Sequence, residues 1–467
     1  MDSNRLSAFV DENWERSILP SLSDFIKIPC LSPHFDADWE SSGHIEAAVD
    51  HITRWCREQG PEGLELEVVR LPGRTPLIFM EVRGEGDGTV LLYGHLDKQP
   101  EMVGWDEDKG PWKPVLQDDK LYGRGGGDDG YAVYTSLLAI RALQEQGLSH
   151  PRCVILIEAC EESGSYDLPH YIDALQERIG TPGLIVCIDS GAGNYEQWWC
   201  TSSLRGMAFG KLSVEILKQG VHSGDAGGIV PSSFRIARSL LSRLEDEATG
   251  AILPAAFSVE IPDQHRAFAS ACAEVLGAGV AGKYPFVDGA HATGEDPTEL
   301  VLDRTWRSSL SVTGANGFPA VEKAGNVLRP ITELALSLRL PPSVDAVAAT
   351  DALTALLERD PPYGAKVRFE AQPPGQGWAL PTLPDWLAAS IDKGSRTFFE
   401  RPPCFVGEGG SIPFMGLLSE KYPAAHFLVT GVLGPGSNAH GPNEFLHIPA
   451  AKRLTCGVAT VLADFPR

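Results

Sequence analysis

The sequence predicts an α/β protein in which a central, mostly parallel sheet lies between helices and is interrupted by an inserted α+β domain. Three observations predict it. Apolar strand-like runs alternate with helical stretches over residues 64–190. Several of those runs, TVLLYGH and CVILIEA among them, are apolar without alternation, as strands covered on both faces are. Near Leu204 the texture changes to alternating, half-exposed strands, and after Pro381 the first texture returns. The economical division is a discontinuous α/β domain, 1–203 plus 380–467, and an insertion, 204–379.

The elements follow in order. Leu6, Phe9, Val10, Trp14, Leu22 and Phe25 recur at helical spacing over 4–27, and Pro29 ends that helix. A second helix covers about 44–59, and the strands LELEVVR, PLIFMEVRG and TVLLYGH follow. YAVYTSLLAIRALQEQ, 131–146, is helical, CVILIEA is a buried strand, and GLIVCIDS at 183–190 is another. In the insertion, GMAFGKLSVEIL, RTWRSSLSVT, ELALSLRL and AKVRFEAQ alternate as strands, and PSSFRIARSLLSRLEDE and VDAVAATDALTALLER read as helices. A helix at 384–400, the strand AHFLVTG and a closing helix near 449–464 complete the chain.

Composition narrows the function. With 39 basic and 62 acidic residues among 467, the formal charge is −23. A phosphate backbone or an anionic membrane surface would be repelled, so neither nucleic acid nor membrane is an expected partner. No window approaches a membrane span. The N-terminus lacks the basic start and apolar run of a signal peptide. Nine cysteines form no C-x-x-C pair, and several sit in apolar runs. Free thiols in a reducing cytoplasm are the expectation.

The chemistry gathers at predicted strand ends, where α/β sheets collect ligands. His95 and Asp97 follow TVLLYGH, and Asp128 and Asp129 lie in the glycine-rich LYGRGGGDDG. Glu161 and Glu162 follow CVILIEA, Asp189 follows LIVCI, and His440 lies in GPGSNAHGPNE. Nitrogen and hard oxygen donors without thiolates suit Zn²⁺, Mn²⁺ or Co²⁺ and argue against a structural zinc finger. There are ligands enough for two ions sharing a carboxylate. No G-x-S-x-G elbow offers a serine nucleophile.

In that order, YGHLDKQP, GRGGGDDG, ACEESGS, CIDS, GVHSGD and SNAHGPNE resemble the cocatalytic metallopeptidases of the aminoacylase, carboxypeptidase-G and carnosinase family. WDEDKGPW, LYGRG and GEGGSIP bring the carnosinase and cytosolic dipeptidase branch nearest. The resemblance implies a zinc-exopeptidase-like catalytic domain and an insertion that serves as lid and dimerisation domain. It makes His95 and Asp189 ligands of one metal, Glu162 and His440 ligands of the other, and Asp128 the bridge, with a cis Asp128–Asp129 peptide. Asp97 would orient His95, and Glu161 would be the general base. Two zinc ions are implied, with manganese or cobalt as alternatives, and a homodimer in which His222 reaches the partner's substrate. Arg339, Asn326 and Ser411 would meet the substrate, Arg339 and Ser411 through its carboxylate. The implied activity is hydrolysis of dipeptides or short peptides with a free C-terminal carboxylate. N-acyl amino acid deacylation, desuccinylase-like chemistry, and a non-catalytic interaction module are the alternatives. Two departures stand out: the D-x-K-G pattern is replaced by Asp128, Asp129, Gly130 and Tyr131, and Leu96 and Lys98 flank Asp97.

Overall fold

A computed structural model describes residues 1–410 and 413–466. Two compact units emerge: Met1–Thr201 with Leu380–Val406 and Leu417–Arg467, and Ser202–Ala379 with Gly407–Gly416. The sequence reading kept 380–467 whole, whereas residues 407–410 belong with the second unit. The reason is local. The Arg205 backbone N–H donates to Gly410 O at 3.1 Å, and its guanidinium Nε donates to Gly409 O at 3.1 Å.

The first unit is built on six strands: β1 Leu64–Val69, β2 Leu77–Val82, β3 Thr89–His95, β4 Arg152–Glu158, β5 Leu184–Cys187 and β6 His426–Val429. Their spatial order is β1-β2-β4-β3-β5-β6. β4, β3, β5 and β6 run parallel, while β2 is antiparallel to β4 and β1 antiparallel to β2. Every residue of β3 is buried, which is why its sequence shows no alternation.

Three helical segments bear on the site: α1 Leu19–Ile26, α2 Tyr131–Glu145 and α3 Ile448–Asp464. α2 is buried over nearly its whole surface, from Tyr131 through Leu143, and so carries apolar residues all round. The single helix expected over 4–27 is interrupted by a π turn, Trp14–Ile18, between Ser3–Asn13 and α1. Pro20, which has no N–H to give the preceding turn, accounts for that wider turn.

In a small antiparallel ladder the strand Phe445–His447 pairs with Lys120–Tyr122, setting Phe445 opposite Tyr122.

In the second unit, four antiparallel strands lie in the order Ser309–Asn316, Ile331–Leu340, Gly206–Glu215 and Lys366–Ala371. Burial alternates along the central pair, and the helices Ser233–Leu241 and Ala346–Glu358 cover the buried face through Ile236, Leu240, Leu353 and Leu357. The sequence reading missed the helix Asp263–Leu276, whose buried positions are His265, Ala269, Cys272 and Ala273. A stripe of small and polar residues gives little apolar periodicity to detect. Among the described residues no helix is long and apolar enough to cross a membrane.

Candidate metal centre

The register of three strands brings the first ligands together. His95 ends β3 directly opposite Glu158, the last residue of β4, and Leu96 N–H donates to Glu158 O at 2.9 Å. The loops carrying Asp97 and Glu161–Glu162 therefore start side by side. On the other side of β3, Tyr93 is opposite Cys187, and Asp189 lies two residues beyond. Asp128 comes from the glycine-rich turn that enters α2. A Cβ on Gly125, at φ +79°, would lie 2.4 Å from Lys98 Cε, so that turn closes only on glycine. The Asp128–Asp129 peptide is cis.

Two donor trios result. His95, Asp128 and Asp189 form one, and Asp128, Glu162 and His440 the other, with the donor atoms of each within 4.8 Å of one another. His95 Nε2 faces Asp128 Oδ1 at 3.3 Å and Asp189 Oδ2 at 3.6 Å. His440 Nε2 stands 3.0 Å from Asp128 Oδ2 and 3.2 Å from Glu162 Oε2. Asp128 thus presents one oxygen to each trio.

The donors fit a divalent cation. His95 Nε2 is buried and makes no hydrogen bond. Its ring is oriented for ligation, because Nδ1 lies 3.1 Å from the Asp97 backbone carbonyl and donates there, leaving Nε2 with its lone pair. Two imidazoles and three carboxylates, without a thiolate, are the borderline-to-hard set that Zn²⁺, Mn²⁺ and Co²⁺ accept.

Electrostatics describe the same crowd. Burial pushes Asp189 up to about 7, with Asp128 and Glu162 adding to the shift and His95 opposing it. Burial works to raise the Asp128 carboxyl too, but His440 and His95 outweigh it and hold it well below the usual range. Burial would lower His440, yet Asp128 and Glu162 push it up to about 11. Metal binding at such donors is coupled to release of their protons.

The sequence profile of peptidase family M20/M25/M40 matches residues 91–464. The chain belongs to that family. It is 29% identical over 462 residues to the cysteinylglycine-S-conjugate dipeptidase of Corynebacterium striatum, across 94% of each chain. It is 25% identical over 404 residues to the Beta-Ala-His dipeptidase of Homo sapiens, across 83% of this chain and 76% of that one. In fold it is similar to the di-peptidase Dug1p from Saccharomyces cerevisiae, with a TM-score of 0.75, 21% identity, and 99% and 98% of the two chains covered.

Within this M20/M25/M40 chain, Asp97 does more than stand behind His95. Its fully buried carboxylate accepts the backbone N–H groups of Glu161 at 3.1 Å and Glu162 at 3.0 Å, while Oδ1 lies 3.5 Å from His95 Nδ1. Asp97 therefore fixes the turn that presents Glu161 and Glu162. Burial, then the Asp189, Glu162 and Asp97 carboxylates, push Glu161 well above the ordinary carboxylate range against the pull of His95.

The remaining predicted residues lie in the second unit. His222 and Asn326 are brought together: His222 pairs with Val327 on a short antiparallel ladder, and Ser223 N–H donates to Asn326 O at 2.8 Å. Both side chains are exposed. His222 Nδ1 accepts the Gly224 N–H at 3.1 Å. Arg339 is half-buried on Ile331–Leu340, opposite Ser309. Ser411 lies outside the described residues.

Gln99 went unrecognised in the sequence. Its Nε2 donates to Glu162 Oε2 at 2.7 Å and orients that ligand. Its place two residues after Asp97 was the available signal.

Proposed function

We propose that this chain hydrolyses the amide bond of dipeptides or short peptides with a free C-terminal carboxylate. Two divalent ions serve it, zinc ahead of manganese or cobalt. The observation that carries the reading is the pair of donor trios sharing Asp128.

His95, Asp128 and Asp189 would hold one ion, and Asp128, Glu162 and His440 the other. When bound, such ions lower the pKa of a water towards ~7 and polarise the scissile carbonyl. Glu161 takes the proton of the attacking water and passes it to the leaving amine. Asp97 and Gln99 keep Glu161 and Glu162 in place through the contacts described. In the same reading, Arg339, Asn326 and Ser411 meet the substrate, and His222 serves the partner's site in a homodimer. Nine buried cysteines, with no disulfide among the described residues, support a cytoplasmic protein.

The test is a hydrolysis screen of the metal-reconstituted protein against dipeptides and N-acyl amino acids. Cleavage of dipeptides, abolished by excess chelator and restored by Zn²⁺ or Mn²⁺, is expected. Turnover of N-acyl amino acids alone would move the chain to the deacylase reading, and full activity in chelator would sink the two-ion mechanism.

A further inference from the structure

Arg124 and Glu444 form a buried ion pair that no step above uses. Arg124 is 1% exposed and Glu444 0%. They are far apart in sequence, and each lies in a loop that carries a metal-site residue: Arg124 precedes Asp128 in LYGRGGGDDG, and Glu444 follows His440 in SNAHGPNE.

The pair joins these loops through several bonds. Arg124 Nη1 donates to Glu444 Oε2, and Arg124 Nη2 donates to Gly441 O at 2.9 Å. The Gly125 N–H donates to Glu444 Oε1 at 2.9 Å, and the Gly123 N–H to the Glu444 backbone carbonyl at 2.9 Å. One guanidinium therefore grips both the Glu444 carboxylate and the carbonyl of Gly441, the residue after His440. His440 has φ +64°, and its side chain is 55% exposed. Little packing holds so exposed a ring, and a backbone in that region needs a fixed neighbourhood. The contact to Gly441 O supplies it.

We propose that Arg124 and Glu444 are a positioning pair that sets His440 against Asp128 and Glu162, and so governs the affinity of that ion site more than that of the other. The proposal rests on the two-ion reading above. The asymmetry follows from chain connectivity. Both residues hold the His440 loop directly, whereas His95 ends β3 and Asp189 lies two residues beyond β5, and Asp128, which both sites share, is reached only through the backbone of Gly123 and Gly125. Lysine at 124 would keep the charge, but its single amine cannot span Glu444 Oε2 and Gly441 O in the planar fork that arginine provides.

The test is Zn²⁺ binding by the metal-free protein, measured in competition with a chromophoric chelator. Wild type must first bind two ions, and one or none would sink the two-ion reading and this proposal with it. Given two, Arg124→Lys is expected to weaken one site by ~10–100-fold, the usual effect of losing an outer partner of a ligand. In the His440→Ala background, where only the other ion remains, Arg124→Lys should leave its affinity within about threefold. A second variant, Arg124→Met with Glu444→Gln, removes both buried charges together and avoids stranding one. It should show the same selective loss. Equal weakening of both sites, wild-type affinity at both, or failure of every variant to fold would overturn the proposal.

Discussion

Asp97→Asn is the sharpest probe of how the centre is organised. The wild-type carboxylate accepts two backbone N–H groups, from Glu161 and Glu162, at 3.1 and 3.0 Å. Asparagine has one oxygen to offer, and its amide nitrogen would face a second donor. One buried N–H loses a charged partner, at a cost of about 1.5–3 kcal/mol. At about 1.4 kcal/mol per tenfold, kcat/KM for a dipeptide should fall by roughly 10–100-fold. The ion held by His95 should remain, because His95 Nδ1 donates to the Asp97 backbone carbonyl, which the substitution leaves in place. The assay is steady-state hydrolysis at saturating metal, with metal content measured on the same samples and His95→Ala prepared alongside. An Asp97→Asn protein matching His95→Ala in both metal content and activity would refute this reasoning, since Asp97 would then act through the histidine. Wild-type kinetics would refute it equally.

Other outcomes follow from the same geometry. Glu161→Gln keeps shape and removes the proposed base, so turnover should drop by about 10²–10⁴ with metal content retained, and wild-type turnover would exclude Glu161 from that role. Burial depresses Lys98 to about 8, although its Nζ donates to the Phe25 and Ile28 carbonyls at 2.9 and 2.8 Å. A depressed pKa means stability present above the unfolded value and lost as pH falls through the folded one. Relative to Lys98→Met, wild type should therefore gain up to about 3 kcal/mol between about pH 8 and pH 10.5, read from urea melts of both proteins. If a homodimer shares its sites through His222, co-expressing Glu161→Gln with His222→Ala should restore about a quarter of wild-type activity. Activity no greater than that of the single mutants would place His222 in cis.

The grouping of the strand-end polar residues was legible because each sits on a local pattern, an apolar run followed by a polar turn. His95, Glu161, Glu162 and Asp189 need only the positions of three neighbouring strands, and a parallel sheet fixes those through its register. What escaped depends on distant parts of the chain. Nothing near residue 124 announces Glu444, and nothing near His222 announces the ladder to Val327 that puts Asn326 beside it. Asp97 was legible as a residue but only partly as a role. Its spacing from His95 points to the histidine, while its carboxylate is spent on the peptides after Cys160, which only folding places within reach. The helix Asp263–Leu276 and the grouping of residues 407–410 escaped likewise, the first for want of large apolar residues and the second because backbone carbonyls set it.

The discontinuity of the first unit imposes an order on a nascent chain. By the time Asp189 has left the ribosome, the strands β1 to β5 and the trio of His95, Asp128 and Asp189 have all been synthesised. His440 and β6 arrive only after the entire second unit has emerged. Until then the outer edge of β5 has no partner, leaving unpaired backbone groups on a buried, apolar strand that another chain could capture. At that stage the chain carries five of the six strands, one complete donor trio and one lacking its histidine, and a single later segment supplies both the missing edge strand and His440.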